Sequence, residues 1–197
     1  ISNELNFKVI YASSSSIYGN PKGIPINETF ERKPINPYGV TKLEDELLAE
    51  KYHNLGSKII GLRYFNVYGK GQNPAYAGVL SKFLENVANG KSPIIYGDGT
   101  QTRDFVFVDD VAKANLLAMK SNSSGKFINV GTGIKTSVTE LAEIIIKISN
   151  KNIKPIYVGA KEGDIRNSQA DISLSYELLK WSPKTKIEDW LKTMQNN

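Results

Sequence analysis

The sequence contains no cysteine among its 197 residues and only one histidine, His53. A chain without cysteine forms no disulfide bond and no thiolate metal site, which agrees with a reducing compartment such as the cytoplasm. One histidine excludes metal centres and catalytic triads that are built on several histidines. We therefore expect no metal site, and we interpret His53, which lies in a helical segment, as a structural residue.

The sequence also lacks long apolar runs and blocks of one charge. Its apolar stretches are interrupted by lysine and asparagine and do not reach the roughly 20 residues of a membrane-spanning helix. The net charge is +5, yet acidic and basic residues alternate, as they do among Lys42, Glu44, Asp45, Glu46 and Lys51. This mixture indicates a solvated surface rather than a nucleic-acid footprint. We expect a globular protein with neither a membrane nor a nucleic-acid partner.

The pattern of apolar residues predicts an α/β fold. Residues 7–12 and 57–65 have the composition of short buried strands. Residues 37–56 between them form a helical pattern, with Asn36 as the N-cap and Pro37 at the first helical position. A strand, a long helix and a second strand make a βαβ unit, so we expect a parallel sheet.

The remaining pattern predicts further short elements on the same plan. It indicates a loop at 66–78, helices at about 79–89 and 109–120, two short strands within 92–108, a strand at 126–131, a helix from a Ser137–Glu140 capping box to about 149, a strand near 155–159 and two short helices after it.

Three groups of polar residues occur where ligands bind in such folds. The serines of "YASSSSIYG" (11–19) follow the first strand, and Asn66 follows the second. Ligands of open α/β sheets bind beyond the carboxyl ends of the strands. Tyr38 and Lys42 are four residues apart on the connecting helix, so they share one face and should lie close together. Each group alone has an ordinary structural explanation, and their order along the chain carries the functional prediction.

These motifs resemble the extended short-chain dehydrogenase/reductase family, and specifically its NAD-dependent nucleotide-sugar epimerases of the UDP-glucose 4-epimerase kind. The segments "SSSSIYG", "NPYGVTK", "LRYFNVYG", "GDGTQTRDFVFVDDVAKA", "FINVGTG" and "EGDIRNSQAD" occur in the family's order over essentially the whole chain. The resemblance implies the C-terminal part of a Rossmann-like parallel-sheet domain, over residues 1–65 and 105–135. It implies a smaller mixed α/β domain that binds the nucleotide sugar, over residues 66–104 and 136–197.

The family also has a glycine-rich strand–turn–helix that holds the NAD pyrophosphate. The sequence has no such motif, because the glycine turn "GTGIKTS" (131–137) has neither its position nor its spacing. The chain begins with Ile1 and not with methionine, and its first residues run directly into a strand. We therefore expect that an amino-terminal part of the protein lies upstream, and that the 197 residues alone bind NAD poorly and are inactive.

The resemblance implies that Ser14, Tyr38 and Lys42 are catalytic. Tyrosine is a poor base at neutral pH, since its phenol has a pKa of about 10, but a lysine ammonium and the positive nicotinamide ring favour the phenolate. Tyr38 would take the proton of the sugar's C4 hydroxyl while C4 gives its hydride to NAD, and Ser14 would hydrogen-bond the C4 oxygen. The 4-keto sugar turns over and takes the hydride back on its other face. The same three residues and Phe65 would contact the cofactor.

The resemblance also implies a binding set for a UDP-sugar substrate. Its members are Ser14, Tyr38, Asn66, Leu80, Tyr96, Arg103, Lys161, Asp164 and Ser168. Arg103 suits a diphosphate because a guanidinium matches a pair of phosphate oxygens, and its structural alternative is a surface pair with Asp104. Lys161 occupies a position where the family commonly has arginine, so it lacks the two-pronged geometry.

Several alternatives stay open at this stage. Related 4,6-dehydratases carry an Asp-Glu pair where this chain has Ser15 and Ser16, which favours epimerisation over dehydration. Ser168 stands where members restricted to unsubstituted hexoses often carry tyrosine, so we expect room for an N-acetyl group. The other candidates are a different nucleotide-sugar enzyme, such as a decarboxylase, and a non-catalytic substrate-binding fragment. Because family members usually dimerise through the Tyr38 helix, we expect a homodimer.

Overall fold

The structure is a computed structural model that describes residues 2–72 and 78–194. The elements in chain order are α1 (Ser2–Leu5), β1 (Lys8–Ser14), a 3₁₀ turn (Ser15–Tyr18), α2 (Pro37–Asn54), β2 (Lys58–Tyr64), β3 (Asn66–Tyr68), α3 (Val79–Ala88), β4 (Ile94–Tyr96), β5 (Thr102–Arg103), β6 (Phe105–Phe107), α4 (Val108–Lys120), β7 (Lys126–Val130), β8 (Thr136–Ser137), α5 (Val138–Ser149), β9 (Ile156–Val158), α6 (Ser173–Leu179) and α7 (Ile187–Thr193). Within these ranges, no helix combines the length and the apolar character that crossing a bilayer requires.

Three parallel strands form the central sheet in the order β1–β2–β7. One face is apolar because Ile60, Leu62, Ile128 and Val130 are fully buried there, in a cluster with residues of α4 and α6. Helix α2 covers the other face and makes the crossover from β1 to β2. The α/β class with a parallel sheet that the sequence predicted is confirmed.

A second apolar core lies beside the central sheet and contains α3, α5 and α7. Phe83 of α3, Leu141 of α5 and Leu191 of α7 are buried together with Tyr68. The Tyr68 ring meets the Trp190 ring edge-on at a centroid distance of 5.1 Å, a favoured aromatic geometry. Two parallel pairs, β3–β6 and β4–β9, and the antiparallel pair β5–β8 surround this core. The elements around this second core carry the residues that face β1 and α2 across a cleft.

The structure differs from the sequence prediction in its shortest elements. Residues 66–68 form β3 instead of loop, because they pair with β6 and the Asn66 amide donates to the Asp104 carbonyl at 2.9 Å. The segment 92–108 contains three strands, where two were predicted. Helix α2 ends at Asn54, two residues before the predicted end. The part of the predicted 66–78 loop that covers 73–77 lies outside the described residues.

One charged residue lies where the sequence indicated a solvated surface. Glu46 of α2 is completely buried, whereas its neighbours Glu44 and Asp45 are exposed. The reason is an ion pair with the buried Arg63, whose Nη2 lies 2.7 Å from Glu46 Oε2. Charge alternation along the chain therefore failed as a guide at this position.

Candidate active site

Strand β1 ends in two buried hydroxyls, those of Ser13 and Ser14. The chain then makes a single 3₁₀ turn, which Ser14 caps by accepting a hydrogen bond from the Ser16 amide at 3.1 Å. The Ser14 hydroxyl also donates to Ser16 Oγ at 3.1 Å. Gly19 closes the turn with a φ of 60°, a conformation that favours glycine. The turn thus holds the Ser14 hydroxyl at the carboxyl end of the strand.

Helix α2 begins beside this serine turn. Asn36 caps the helix as predicted, since its Oδ1 accepts from the Gly39 amide at 2.8 Å, and Pro37 occupies the first turn. A Cβ atom on Gly39 would lie 2.7 Å from the Ser16 carbonyl oxygen. Glycine at this position therefore permits the first turn of α2, which carries Tyr38, to lie directly against the serines.

Tyr38 and Lys42 lie side by side on α2. The Lys42 Nζ is 6.0 Å from the centroid of the Tyr38 ring, so the prediction that the two share one face is confirmed. Lys42 also forms an ion pair with Asp45 at 3.1 Å. The Tyr38 side chain is largely exposed and borders the cleft. The phenol is therefore open to a ligand, with an ammonium group as its neighbour.

The serine turn and Tyr38 face a cleft of about 320 Å³. The cleft brings together residues that the sequence predicted for one site: Ser14, Tyr38, Phe65, Asn66, Leu80, Arg103 and Ser168. These residues come from β1, α2, the residue between β2 and β3, β3 itself, α3, β5 and the segment after β9. The volume lies in the range of small-molecule sites in proteins.

Arg103 lies on the far side of the cleft and pairs with the carboxylate of Asp164. Its Nη1 also donates to the Ile165 carbonyl at 2.6 Å and to its neighbour Thr102 at 2.7 Å. Burial lowers the pKa of the Arg103 guanidinium, and Asp164 opposes that shift. The alternative of a surface pair with Asp104 is wrong, because the Asp104 side chain is buried and accepts from other groups.

Four predicted residues do not line the cleft. Lys42 lies next to Tyr38 on α2. Asp164 forms an ion pair with Arg103, which does line the cleft. Tyr96 of β4 is half exposed, and its carbonyl accepts from Gln101 Nε2 at 2.7 Å. Lys161 is exposed in the segment after β9.

The cleft also includes residues that the sequence reasoning did not single out. Tyr64 and Ile165 line it beside the predicted Phe65 and Asp164. The Tyr64 hydroxyl donates to Asn115 Oδ1 at 2.9 Å, and burial raises its pKa. Both residues lie within recognised motifs, "LRYFNVYG" and "EGDIRNSQAD", so their place in these motifs was the signal that could have found them.

A second missed feature is the pair of Arg166 and Asp98. The two Arg166 nitrogens Nη1 and Nη2 meet the two Asp98 oxygens at 3.0 and 2.9 Å. The hydrogen bonds from Arg166 hold the pKa of the Asp98 carboxyl well below its usual range. The Arg166 carbonyl accepts from the Thr102 amide at 3.0 Å. The segment that supplies Ile165 and Ser168 is therefore bound to the 97–99 turn, which contains Asp98, and to β5.

Residues 2–131 match the NAD dependent epimerase/dehydratase family. The chain belongs to this family. It is similar to the UDP-N-acetylglucosamine 4-epimerase of Methanobrevibacter ruminantium M1, solved in complex with UDP-N-acetylmuramic acid, with a TM-score of 0.89 and 38% identity over 97% of this chain and 63% of that one. The UDP-glucose 4-epimerase of Thermotoga maritima, solved with UDP-glucose, gives a TM-score of 0.89 and 39% identity over 94% of this chain and 61% of that one.

Two other relatives bear on the cofactor and on the range of reactions. The UDP-glucuronic acid 4-epimerase of Bacillus cereus, solved with UDP-glucuronic acid and NAD, gives a TM-score of 0.87 and 34% identity over 96% of this chain and 62% of that one. The UDP-N-acetyl-alpha-D-glucosaminuronate decarboxylase of Bacillus cytotoxicus is 32% identical over 94% of this chain and 61% of the relative. NAD is thus the cofactor of this family. The chain spans 58% to 62% of the length of the first curated relatives that it matches.

The described residues suit the nicotinamide and its ribose better than they suit the pyrophosphate of NAD. At the edge of the cleft, the exposed Tyr38 phenol and the adjacent Lys42 ammonium suit ribose hydroxyls, and the apolar ring of Phe65 suits the nicotinamide. The glycine turn at 131–133 does not offer a pyrophosphate cradle, because the amides of Thr132 and Gly133 donate to the Asp104 carboxylate at 2.7 and 2.9 Å. The chain's own carboxylate fills that turn.

Proposed function

We propose that the complete protein is an NAD-dependent UDP-hexose 4-epimerase that interconverts UDP-glucose and UDP-galactose. The observation that carries the proposal is the cleft between α2 and β5, with the Ser14 hydroxyl and the Tyr38 phenol on one side and Arg103 on the other. A serine hydroxyl and a phenol can hydrogen-bond the hydroxyl on the sugar carbon that reacts. A guanidinium can bind the diphosphate oxygens. Three related 4-epimerases solved with UDP-sugars support this assignment.

In this mechanism the chain's residues bind the sugar and move one proton. When bound, NAD would supply reversible hydride acceptance at C4, so the overall reaction would involve no net oxidation. Tyr38, acting as the base, takes the proton from the C4 hydroxyl, and the Lys42 Nζ lies 6.0 Å from the centroid of its ring. Ser14 donates to the C4 oxygen by turning its hydrogen away from Ser16 Oγ. After the sugar has turned over, Tyr38 returns the proton to the same oxygen.

The nucleotide part of the substrate would extend from the cleft along the segments 66–104 and 136–197. Arg103 would exchange part of its contact with Asp164 for the diphosphate oxygens. Asn66 and Leu80 would contact the substrate within the cleft, and Tyr96 and Lys161 would contact the nucleotide outside it. The division into a cofactor part, 1–65 and 105–135, and a nucleotide-sugar part, 66–104 and 136–197, belongs to this proposal.

We also propose that the enzyme accepts N-acetylated sugars, that is, UDP-GlcNAc and UDP-GalNAc. Ser168 lines the cleft and is fixed by its amide, which donates to Thr102 Oγ1 at 3.3 Å. A side chain as small as serine leaves the cleft open at this point. Turnover of UDP-GlcNAc, compared with that of UDP-glucose, tests the idea directly. A Ser168→Tyr variant that lost only the N-acetylated activity would support it, and exclusive use of the unsubstituted pair by the unaltered protein would end it.

The epimerase assignment is tested with protein from the complete reading frame, supplied with NAD and UDP-galactose. We expect UDP-glucose to form and Tyr38→Phe to abolish its formation. No interconversion by the unaltered protein, or full activity of Tyr38→Phe, would overturn the proposal. The 197 residues alone are expected to be inactive and to bind NAD weakly, and activity of that piece would contradict this expectation.

The second candidate is a decarboxylase, since a relative of that class covers 94% of the chain. Release of carbon dioxide from a UDP-uronic acid in the same assay would favour it over the epimerase. A dehydratase is disfavoured because Ser15 and Ser16 line the cleft and supply no carboxylate. A non-catalytic substrate-binding role would appear as UDP-sugar binding without conversion of any of these substrates.

A homodimer and a cytoplasmic location complete the proposal. Leu47, Leu48 and Tyr52 of α2 are about half exposed, which supplies an apolar surface for a second copy of the helix. The absence of cysteine agrees with the cytoplasm.

A further inference from the structure

A row of buried polar side chains crosses the face of the central sheet that lies under α2. Ser13 of β1, Arg63 of β2 and Asn129 of β7 are aligned by the strand register. Each is at most 2% exposed. Buried polar groups destabilise a fold unless each finds a partner, so this polar row needs partners from the elements that pack on the sheet.

Glu46 of α2 supplies the partners of Ser13 and Arg63. Its Oε1 accepts from Ser13 Oγ at 2.6 Å and from Arg63 Nε at 2.8 Å. Its Oε2 accepts from Arg63 Nη2 at 2.7 Å and from Arg32 Nη1 at 3.2 Å. The two-pronged pair of Glu46 and Arg63 fixes the orientation of the carboxylate as well as its position, because the geometry is planar and directional.

From Arg63 the network continues to the serine turn. The Arg63 Nη1 donates to the Tyr18 hydroxyl at 2.8 Å, and that hydroxyl donates to Asn129 Oδ1 at 2.8 Å. Burial raises the pKa of Tyr18 to about 12, so the phenol keeps its proton. Burial opposes the charge of Arg63, but the hydrogen bonds to Glu46 and the nearby Tyr18 raise its pKa overall. One charged guanidinium therefore joins β2, α2 and the serine turn.

The elements joined in this way carry the residues of the cleft. Ser14 directly follows Ser13, and the serine turn ends at Tyr18. Tyr38 and Lys42 precede Glu46 by eight and four residues on α2. A shift or rotation of the helix about Glu46 would therefore move the Tyr38 phenol relative to Ser14. An apolar helix face tolerates small shifts, whereas a buried, fully partnered ion pair permits one register.

We propose that Glu46 and Arg63 are positioning residues that set the register of α2 against the sheet, and thereby the placement of the Tyr38 phenol relative to the Ser14 hydroxyl. The activity tests of this proposal rest on the proposed epimerase function. A test by hydrogen exchange does not.

The first test is Glu46→Gln in the complete protein, with Glu44→Gln as the matched control. Glu44 is an exposed carboxylate on the same helix, so the control removes the same charge without touching the network. Glutamine replaces one carboxylate oxygen, which accepts hydrogen bonds, with an NH2 group, which donates them and cannot pair with the Arg63 donors. We expect kcat to fall at least about tenfold while KM for the UDP-sugar changes less than about threefold, because the reacting groups shift and the substrate contacts remain. Unchanged kcat in a folded Glu46→Gln protein would overturn the proposal.

The second test separates positioning from stability. The double variant Glu46→Met/Arg63→Met replaces both charges with flexible apolar side chains, and it should regain the Tm that Glu46→Gln loses. If the pair sets the register, kcat stays low although Tm recovers. Recovery of kcat together with Tm would make the pair a stabilising element only and would overturn the proposal.

The third test measures hydrogen exchange of the backbone amides of residues 38–46, since Pro37 has no N–H. Glu46→Gln should speed exchange there at least about tenfold relative to Glu44→Gln, while α5 stays protected. Equal exchange in the two variants would overturn the inference. If the unaltered protein converts no UDP-sugar, the epimerase proposal fails, and the exchange result still decides whether the pair fixes α2.

Discussion

Gly39 of α2 lies directly against the backbone carbonyl of Ser16. A Cβ atom at position 39 would come within 2.7 Å of that oxygen and within 2.8 Å of Pro34 Cβ. Real Cβ contacts are longer, so any side chain here must push the helix start away from the serine turn. The contact makes the distance between the serine turn, which carries Ser14, and the start of α2, which carries Tyr38, depend on a single missing methyl group.

Gly39→Ala should therefore reduce catalysis. We expect kcat for UDP-sugar interconversion to fall about tenfold or more, because Tyr38 moves away from Ser14. Gly23→Ala is the matched control, since a Cβ on Gly23 meets nothing within 4 Å. Steady-state kinetics of both variants checks the prediction, and equal kcat values would contradict it.

Asp104→Asn should destabilise the fold. The Asp104 carboxylate accepts from the amides of Thr132, Gly133 and Ala170 and from the Thr132 hydroxyl. Asparagine points a donor at some of these donors, and a loss of about 3 kcal/mol in the free energy of unfolding is expected. Urea unfolding measures it, with the exposed Asp109→Asn as control. A loss as small in Asp104→Asn as in the control would argue against this role.

Arg103→Lys should weaken substrate binding. Lysine keeps the charge but loses the fork that meets two phosphate oxygens, so KM for the UDP-sugar should rise about tenfold with kcat changed less. Arg103→Met removes the charge too and should raise KM further. If the two variants bound UDP as tightly as the unaltered protein does in calorimetry, Arg103 would not be a diphosphate ligand.

Acid should weaken the capping box of α5. The Glu140 side chain accepts from the Ser137 amide at 2.7 Å, and this hydrogen bond lowers the pKa of the Glu140 carboxyl. A lowered folded-state pKa means that the bond stabilises the protein above the unfolded value of about 4.3 and stops doing so as the pH falls through the folded value. The effect should stay below about 1 kcal/mol, because solvent screens this exposed group.

Urea midpoints at pH 7 and pH 3.5 check this prediction. Glu140→Ala should lower the midpoint at pH 7 and change it much less at pH 3.5. Glu143→Ala, an exposed position on the same helix, is the control. A pH-independent difference between Glu140→Ala and the unaltered protein would show that the charge of Glu140 does not contribute.

Leu47→Asp/Leu48→Asp should convert a homodimer into monomers. The two leucines are 50% and 54% exposed on α2, so a charge there disrupts a helix–helix contact without opening the core. Light scattering after size exclusion gives the mass. Leu116→Asp tests an equally exposed leucine on α4 and should leave the dimer intact. A monomeric unaltered protein would refute the dimer itself.

The sequence was informative wherever local rules act over several residues. The cap at Asn36 and the Ser137–Glu140 capping box depend on neighbours within three residues, and both are present. The cleft residues followed strands or opened helices, where ligands of parallel sheets bind, and their order along the chain matched a known family.

The sequence was uninformative where distant partners decide the structure. A strand as short as β3 has no periodicity, and it exists because β6 lies beside it. Glu46 stands in a charged helical stretch that has the composition of a surface, and only the three-dimensional position of Arg63 makes it buried. Asp104 likewise has four donors that are 28 to 66 residues away in the chain.

The Asp104 carboxylate has a consequence for reading glycine turns in related sequences. In dinucleotide-binding proteins a turn of this kind presents its amides to a phosphate from outside. In this chain an internal anion already occupies the 131–133 turn, so the turn serves as a joint between β7 and the loop before β6. A glycine turn that is matched by an aspartate just before a neighbouring strand should therefore be searched for an internal bond before it is counted as a phosphate site.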